Sequence, residues 1–529
     1  MKKGKISNQI IYQNRNIKCF SRRNFISSCS ACAVCMAITP GSFANTLCSS
    51  DGKRKKLKIR ILYSLSGPVH TLPRAWPNIG FDFTPAMEQI NTTLVKNFPE
   101  FEFFPELAAG PEDAEKIAAR GTTDSIDGYI VYQMELWNKV VQTIATTGKP
   151  VLYADFKYGG SGGFLRYISA FIRDNTPNVG FISSSKTEDL LAAVSCFKII
   201  SNGGTAADFA AATRVARIKG TKPKSNYMLR ENKIQSLSAD ECIGRLKNSK
   251  ILAVRDQKSE TAEPIMNIPL EYIPFSEIND AWSKADKDEA AAIAERWSKA
   301  ALDIVNVSQD TILSSAAMYI GMKSVMKKHE ANAITINCLG GFTGGYINAY
   351  PCLGFQEFFN EGLVGACECD VQSTATMLAF STMTNGRPGF ISDPVIDTSK
   401  RQIIYAHCVA PIKVFGPEGE ANPFRIMTHS EDRKGASIQS ILPLNYLTTT
   451  IEIRKAEKEI LFHQAVAVEN DADDRACRTK LCAEPVGDIE TLFTLWDKWN
   501  WHRVTFYGDL KEQVLSLADA IGWKAIEQA

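Results

Sequence analysis

An excess of charge of one sign is missing from this chain: 60 Lys and Arg face 58 Asp and Glu over 529 residues, a formal net charge of +2. That balance removes the electrostatic reason for a nucleic-acid or acidic-surface partner. The basic run at 53–58 is short and reads as a solvated linker. Outside the N-terminus no apolar stretch reaches the roughly 20 residues of a membrane span, and no internal repeat suggests a solenoid. A disulfide framework is also missing. Ten cysteines after residue 45 are scattered and read mostly as small buried apolar side chains. Cys477 and Cys482, close together in a polar stretch, are the pair an oxidising compartment could join. Two glycine-rich turns, 159–163 and 340–345, lack the Gly-Lys-Ser/Thr of a P-loop.

What is present begins with residues 1–45, which read as a twin-arginine signal. Ser21-Arg22-Arg23-Asn24-Phe25-Ile26 follows basic residues, 29–38 is weakly apolar, and Ser42-Phe43-Ala44 offers small residues for cleavage. The expected location is periplasmic or otherwise extracytoplasmic, with the twin-arginine export machinery as a partner. That machinery carries proteins already folded, which suits a protein that loads a metal first.

After a linker at 46–57, strand and helix signals alternate. Expected strands at 57–63, 128–132 and 150–153 are separated by helices at 111–120 and 136–147. The pattern restarts near 180, with helices at 189–199, 206–218, 286–301 and 310–328 and strands at 250–254 and 333–337. Beyond about 390 short strands are split by Gly, Pro, Asn and Asp, at 403–408, 424–428, 437–444, 448–454 and 459–468, and a helix follows at 510–521. The fold class is therefore α/β: two Rossmann-like parallel-sheet domains, 58–180 and 181–390, followed by an antiparallel β-barrel-like domain, 391–529.

The densest chemistry lies in Ala366-Cys367-Glu368-Cys369-Asp370. Residues 363–367 read as a buried strand, with Glu368 and Asp370 at its end. If strand geometry holds, both carboxylates point the same way. A helix at 371–383 and a strand at 388–392 follow, ending at Asp393. Parallel strands in such a unit put both ends on one sheet edge, so Glu368 and Asp393 are expected to face one crevice. Two carboxylates held together need compensation, and a divalent cation with oxygen ligands provides it. Each residue also has an ordinary reading. Glu368 can pair with an arginine, Asp370 can cap the next helix, and Asp393 precedes Pro394 and can be a turn residue. An imidazole would complete a mixed site, and His502 and His407 are both candidates on spacing alone.

Several runs resemble the L-fucose isomerase-like superfamily: Pro351-Cys352-Leu353-Gly354-Phe355, Asn360-Glu361-Gly362-Leu363, Ala366 to Val371, Thr376-Met377-Leu378 and Gly386-Arg387-Pro388 to Asp393. Ala406-His407-Cys408 and His502 with Gly508-Asp509 resemble further segments of it. The resemblance covers about 335–410 and 496–525. Cys369 stands where the family usually carries Gly or Ser, and the exported leader is unusual for it.

The resemblance implies a metal-dependent intramolecular oxidoreductase that interconverts an aldose and a ketose through an enediol. It implies Glu368, Asp393 and His502 as metal ligands and Glu368 and Asp393 as the catalytic acid–base pair. The cofactor is a divalent metal, Mn²⁺ foremost with Mg²⁺ or Co²⁺ as options. The expected partner is a small-molecule sugar, and a homo-oligomer is implied by resemblance only. The turn at 340–345 is expected to line the sugar pocket and that at 159–163 to be a mobile loop. The alternatives are an exported sugar-binding protein without chemistry, and a metal-dependent sugar epimerase or dehydratase.

Overall fold

The structure is a computed structural model that describes residues 56–73, 75–255 and 259–529. The twin-arginine leader and all but the end of the basic linker lie outside the described residues. Among the described residues, no helix is long and apolar enough to cross a membrane.

The first sheet is five-stranded and parallel, in the spatial order Phe101–Leu107, Leu57–Ser64, Gly128–Gln133, Val151–Asp155, Val179–Ile182. Successive residues of a strand point to opposite faces, and both faces here are buried. Tyr129, Val131, Tyr153 and Phe181 enter one core, and Ile130, Tyr132, Leu152 and Ile182 enter the other. This two-sided burial explains the near-continuous apolar runs of these strands. Helices Thr187–Ser195 and Ala206–Gly220, read in sequence as part of the second α/β unit, cover the first sheet instead. Phe197 and Phe209 meet in a tilted ring contact at 4.4 Å in its second core, and Gly180 lies directly beneath Thr213.

The second sheet has the order Val364–Cys367, Ala333–Ile336, Ile251–Val254, Ile268–Ile273, Glu260–Ile265. Its first four strands are parallel, and the last is a hairpin arm joined through Met266 and Asn267, both in the left-handed region. Val364–Cys367 is therefore an edge strand of this sheet. Helix Cys352–Asn360 packs closely on it at Gly365, where an added Cβ would lie 2.8 Å from the Phe355 Cα.

The third sheet is a closed barrel of six antiparallel strands. Leu447–Arg454, Arg503–Tyr507, Phe390–Asp397, Gln402–His407, Thr479–Pro485 and Glu459–Asn470 pair in that order, and the last pairs back to the first. Lys524–Glu527 adds to Glu459–Asn470 in parallel from outside. Two stretches read in sequence with the barrel, Phe424–Met427 and Ser437–Ser440, lie in a separate small sheet with Asp303–Val305.

The strand read at 388–392 also differs. It runs Phe390–Asp397, belongs to the barrel, and is antiparallel to both neighbours. The expected parallel strand–helix–strand unit around Glu368 and Asp393 is thus replaced by a crossing from one sheet to another. Helix Val371–Met383 makes the crossing and is buried nearly all round, as its weakly amphipathic sequence requires. Its Thr376 hydroxyl accepts from the Ile453 backbone N–H of the barrel at 3.1 Å.

The first sheet is tied to the barrel by Arg217, whose guanidinium grips Glu490 in bidentate fashion at 3.0 and 2.6 Å, and by Ser183, whose hydroxyl donates to the Ile396 carbonyl at 2.6 Å.

Gly365→Ala tests how tightly the strand leading to Glu368 is held. With Phe355 backbone rather than a flexible side-chain tip in the way, it is expected to destabilise the protein by about 1–3 kcal/mol, read as a lower denaturant midpoint.

Candidate metal centre

Barrel register brings three of the expected residues together. Ser392 pairs with Arg503 and Asp393 with Ala406, so Asp393 lies between His502 on one neighbouring strand and His407 on the other. Pairing with 503–507 stops at Ser392. Pro394, which has no N–H, follows immediately after Asp393, and the opening leaves the Asp393 side chain free of the ladder.

Glu368 arrives from the edge strand of the second sheet. The strand ends at Cys367, and Glu368 and Cys369 then take the left-handed region, with φ of 64° and 53°. That is costly for residues with a Cβ and typical of functional turns. The Cys369 N–H is anchored to the Ile336 carbonyl at 3.0 Å. The turn also overturns the expectation that Glu368 and Asp370 point the same way. Glu368 faces the cluster, while Asp370 caps helix Val371–Met383, accepting from the Gln372 and Ser373 N–H groups at 3.1 and 3.0 Å.

The result is a four-residue cluster. Ligand atoms of Glu368, Asp393, His407 and His502 all lie within 4.8 Å of one another. His502 Nε2 is 3.6 Å from Glu368 Oε2 and 3.5 Å from Asp393 Oδ1, and His407 Nε2 is 3.8 Å from Glu368 Oε1. Both imidazoles are therefore present where sequence spacing left a choice between them. The histidines are fully enclosed, whereas the Glu368 and Asp393 side chains keep 20% and 25% exposure toward a pocket.

Asp370 reaches His502 from behind. Its Oδ2 lies 2.9 Å from His502 Nδ1 and also accepts from Ser373 Oγ and Asn500 Nδ2. With Nδ1–H donating to this carboxylate, Nε2 is the ring atom that faces Glu368 and Asp393, the arrangement of a metal-ligating histidine and its supporting acid.

Electrostatics here is dominated by burial. It pushes the Glu368 carboxyl above the ordinary carboxylate range; His502 opposes the shift and Asp393 adds to it. Asp393 is raised for the same first reason, again against His502. Burial pulls His502 down, but Glu368, Asp393 and Asp370 together carry it up to about 10. His407 is pulled down to about 3, by burial first and then by His502. Asp370 is held low, because its bonds from His502 and Ser373 outweigh its burial. With no cation bound, the balance of these interactions favours a proton on His502. The residues fit a metal: His502 Nε2 and both ring nitrogens of His407 are buried with no hydrogen-bond partner among the described residues. Two carboxylates and two imidazoles form a mixed donor set suited to a first-row divalent ion.

The pocket above the cluster is narrow, with about 90 Å³ of space open to water-sized molecules. Trp76, Leu136 and Trp137 wall it from the first α/β unit, and Glu431 and Trp501 from the barrel region. The Trp137 and Trp501 rings lie 5.9 Å apart. The turn at 159–163 contributes to this wall: Gly159 and Gly162 line the pocket and Ser161 opens helix Ser161–Arg173. The stretch at 340–345, expected to be a turn lining the pocket, instead falls largely in helix Cys338–Gly344, and the residue of that helix among those lining the pocket is Leu339. Sequence reading missed Trp76, Trp137 and Glu431, for which no motif exists. Trp501 could have been found from its place beside His502. The expected Cys477–Cys482 pair is not formed, both thiols being free and buried; Cys477 faces Cys408 at 3.2 Å instead.

No family model matches the chain. Solved structures align at 14% identity with the XylFII–LytSN complex (55% of this chain, 85% of that one, TM-score 0.15) and at 9% with LsrB from Clostridium saccharobutylicum in complex with AI-2 (72% and 94%, TM-score 0.16), and scores that low carry no argument. Among curated proteins, the chain is 24% identical over 165 residues to sulfoquinovose isomerases of Priestia aryabhattai and Priestia megaterium (strain ATCC 12872 / QMB1551), covering 31% of this chain and 35% of each of those. It is 23% identical over 264 residues to a sulfoquinovose isomerase of Clostridium sp. (strain MSTE9), covering 49% of this chain and 58% of that one. The chain thus spans about a third of the first two relatives and somewhat over half of the third.

Proposed function

We propose that the chain is an aldose–ketose isomerase that moves a proton between C2 and C1 of an open-chain sugar at a divalent metal held by Glu368, Asp393 and His502, with His407 beside them. The observation that carries this reading is the convergence of two carboxylates with unpartnered buried imidazole nitrogens at the floor of a tryptophan-lined pocket. A divalent cation held there, Mn²⁺ foremost, would supply Lewis acidity for an enediol-forming reaction.

The chain's own residues do the rest. Glu368 takes the C2 proton and returns it to C1, and Asp393 exchanges the proton between the two neighbouring hydroxyl oxygens. Asp370 holds His502 in one tautomer and orientation. The tryptophan walls offer flat apolar faces to the C–H side of a sugar. Sulfoquinovose, the sugar in the relatives' names, belongs in the substrate panel. We also infer twin-arginine export from residues 21–44. Carriage in the folded state suits a metal site enclosed this deeply.

Glu368→Gln is expected to lower kcat by about 10²- to 10⁴-fold in the presence of saturating Mn²⁺, measured by turnover of a sugar panel and by solvent deuterium uptake at C2. Wild-type turnover in this variant would remove the assigned base. Binding of sugar by the wild-type chain with no turnover of any would favour a receptor.

Asp370→Asn keeps a helix cap but loses the charge behind His502. It is expected to weaken metal affinity by about 10- to 100-fold, read by calorimetric titration, and to leave the helix content unchanged.

The metal must also displace the proton on His502. Calorimetry in buffers of different ionisation heat is expected to find at least one proton released on Mn²⁺ binding at neutral pH. Because the folded-state pKa of His502 is raised from 6.5 to about 10, its contribution to metal-free stability is full below 6.5 and is lost as pH rises toward 10. The melting temperature of the metal-free protein is expected to fall across that window, and that of the Mn²⁺-loaded protein to fall less.

A further inference from the structure

A second cluster of metal-ligating side chains lies outside the four residues of the first. Cys408 follows His407 at the end of its barrel strand, Cys477 precedes the strand that pairs with it, and Glu431 sits in the loop between Phe424–Met427 and Ser437–Ser440. Ligand atoms of the three lie within 4.8 Å of one another, and all three residues are buried. The two sulfurs are 3.2 Å apart, Cys477 Sγ is 3.7 Å from Glu431 Oε1, and the Ser430 hydroxyl is 3.5 Å from each sulfur.

Distances separate the possible uses of such a pair. A disulfide needs the sulfurs at about 2.05 Å, so they would have to close by more than an ångström. Tetrahedral coordination with metal–sulfur bonds of about 2.3 Å puts two thiolates about 3.8 Å apart, which asks for an opening of roughly half that movement. The carboxylate already stands at a suitable separation from Cys477. Around it, Trp76 Nε1 donates to Glu431 Oε1 at 3.0 Å and the Ile79 N–H donates to the Glu431 carbonyl at 2.8 Å, while His429 Nε2 lies 3.0 Å from Oε2. The acid is thus pre-positioned by groups from distant parts of the chain.

We propose that Cys408, Cys477 and Glu431 hold a second divalent ion, of the thiolate-preferring class to which Zn²⁺ belongs, with the Ser430 hydroxyl or a water at the fourth corner. Two sulfurs and one oxygen select a softer ion than the oxygen–nitrogen set of the first site. The ion's role is structural. It joins the residue after His407 to the loop that holds Trp76, and so braces two walls of the pocket. The inference stands whether or not the chain is an isomerase.

The test uses the full chain. Metal-free protein titrated with Co²⁺ is expected to show a near-ultraviolet thiolate-to-cobalt charge-transfer band that Zn²⁺ abolishes. Cys408→Ser and Cys477→Ser should lose the band, whereas Asp393→Asn should keep it. X-ray absorption at the zinc edge of the unmodified Zn²⁺-loaded chain, which needs no variant to fold, is expected to find sulfur neighbours at about 2.3 Å beside the oxygen and nitrogen neighbours of zinc in the first site. Only nitrogen and oxygen neighbours would overturn the proposal. So would the loss of two hydrogens from the intact mass, which marks a Cys408–Cys477 disulfide, or free thiols and no band in folded protein.

Discussion

Glu368 and Asp393 are held within a few ångströms of each other where burial already disfavours their charge. Two like charges in such a place are unstable unless a positive charge sits between them. His502, pushed up to about 10 by its neighbours, supplies one as an imidazolium, and a divalent cation held there would supply more. Most of the surrounding structure serves this balance. Asp370 fixes the imidazole from behind, Ser373 and the helix N–H groups keep Asp370 charged, and Asn500 completes its bonding.

Three pieces of backbone bring the charges together. In the barrel, antiparallel register sets Asp393 between His407 and His502. At the edge of the second sheet, two consecutive left-handed residues turn Glu368 toward them and Asp370 away. The buried helix between sheet and barrel locks the two parts in relative position, its cap being the same Asp370 that holds His502. One carboxylate thus couples secondary structure to ligand orientation. The first α/β unit adds no donor to the cluster and closes the pocket with aromatic side chains.

The fold class was legible because its signals are local. Apolar runs of four to six residues bounded by helices mark strands buried on both faces, and the change of texture past 390 marks the barrel. The assignment of segments to sheets was less legible. The helices at 187–220 carry no mark of which sheet they cover, and the strands at 424–427 and 437–440 look like barrel strands although they pair elsewhere. For the site, the acids at 368 and 393 stood out as polar residues at the ends of apolar runs. The reason given for their meeting, a parallel strand–helix–strand unit, was wrong, because the second strand closes a barrel instead of extending the sheet.

The sequence by itself determined the alternation of elements, the two acids and the two candidate histidines, since periodicity and residue type are properties of short stretches. Only the tertiary structure decided that both histidines join the acids, that Asp370 serves His502 rather than the pocket, and that Cys408 faces Cys477. These are matters of register and backbone handedness between segments up to about 130 residues apart. A one-residue shift of register turns a side chain to the opposite face of its strand, and nothing in the composition of a single strand records which register its partners will choose.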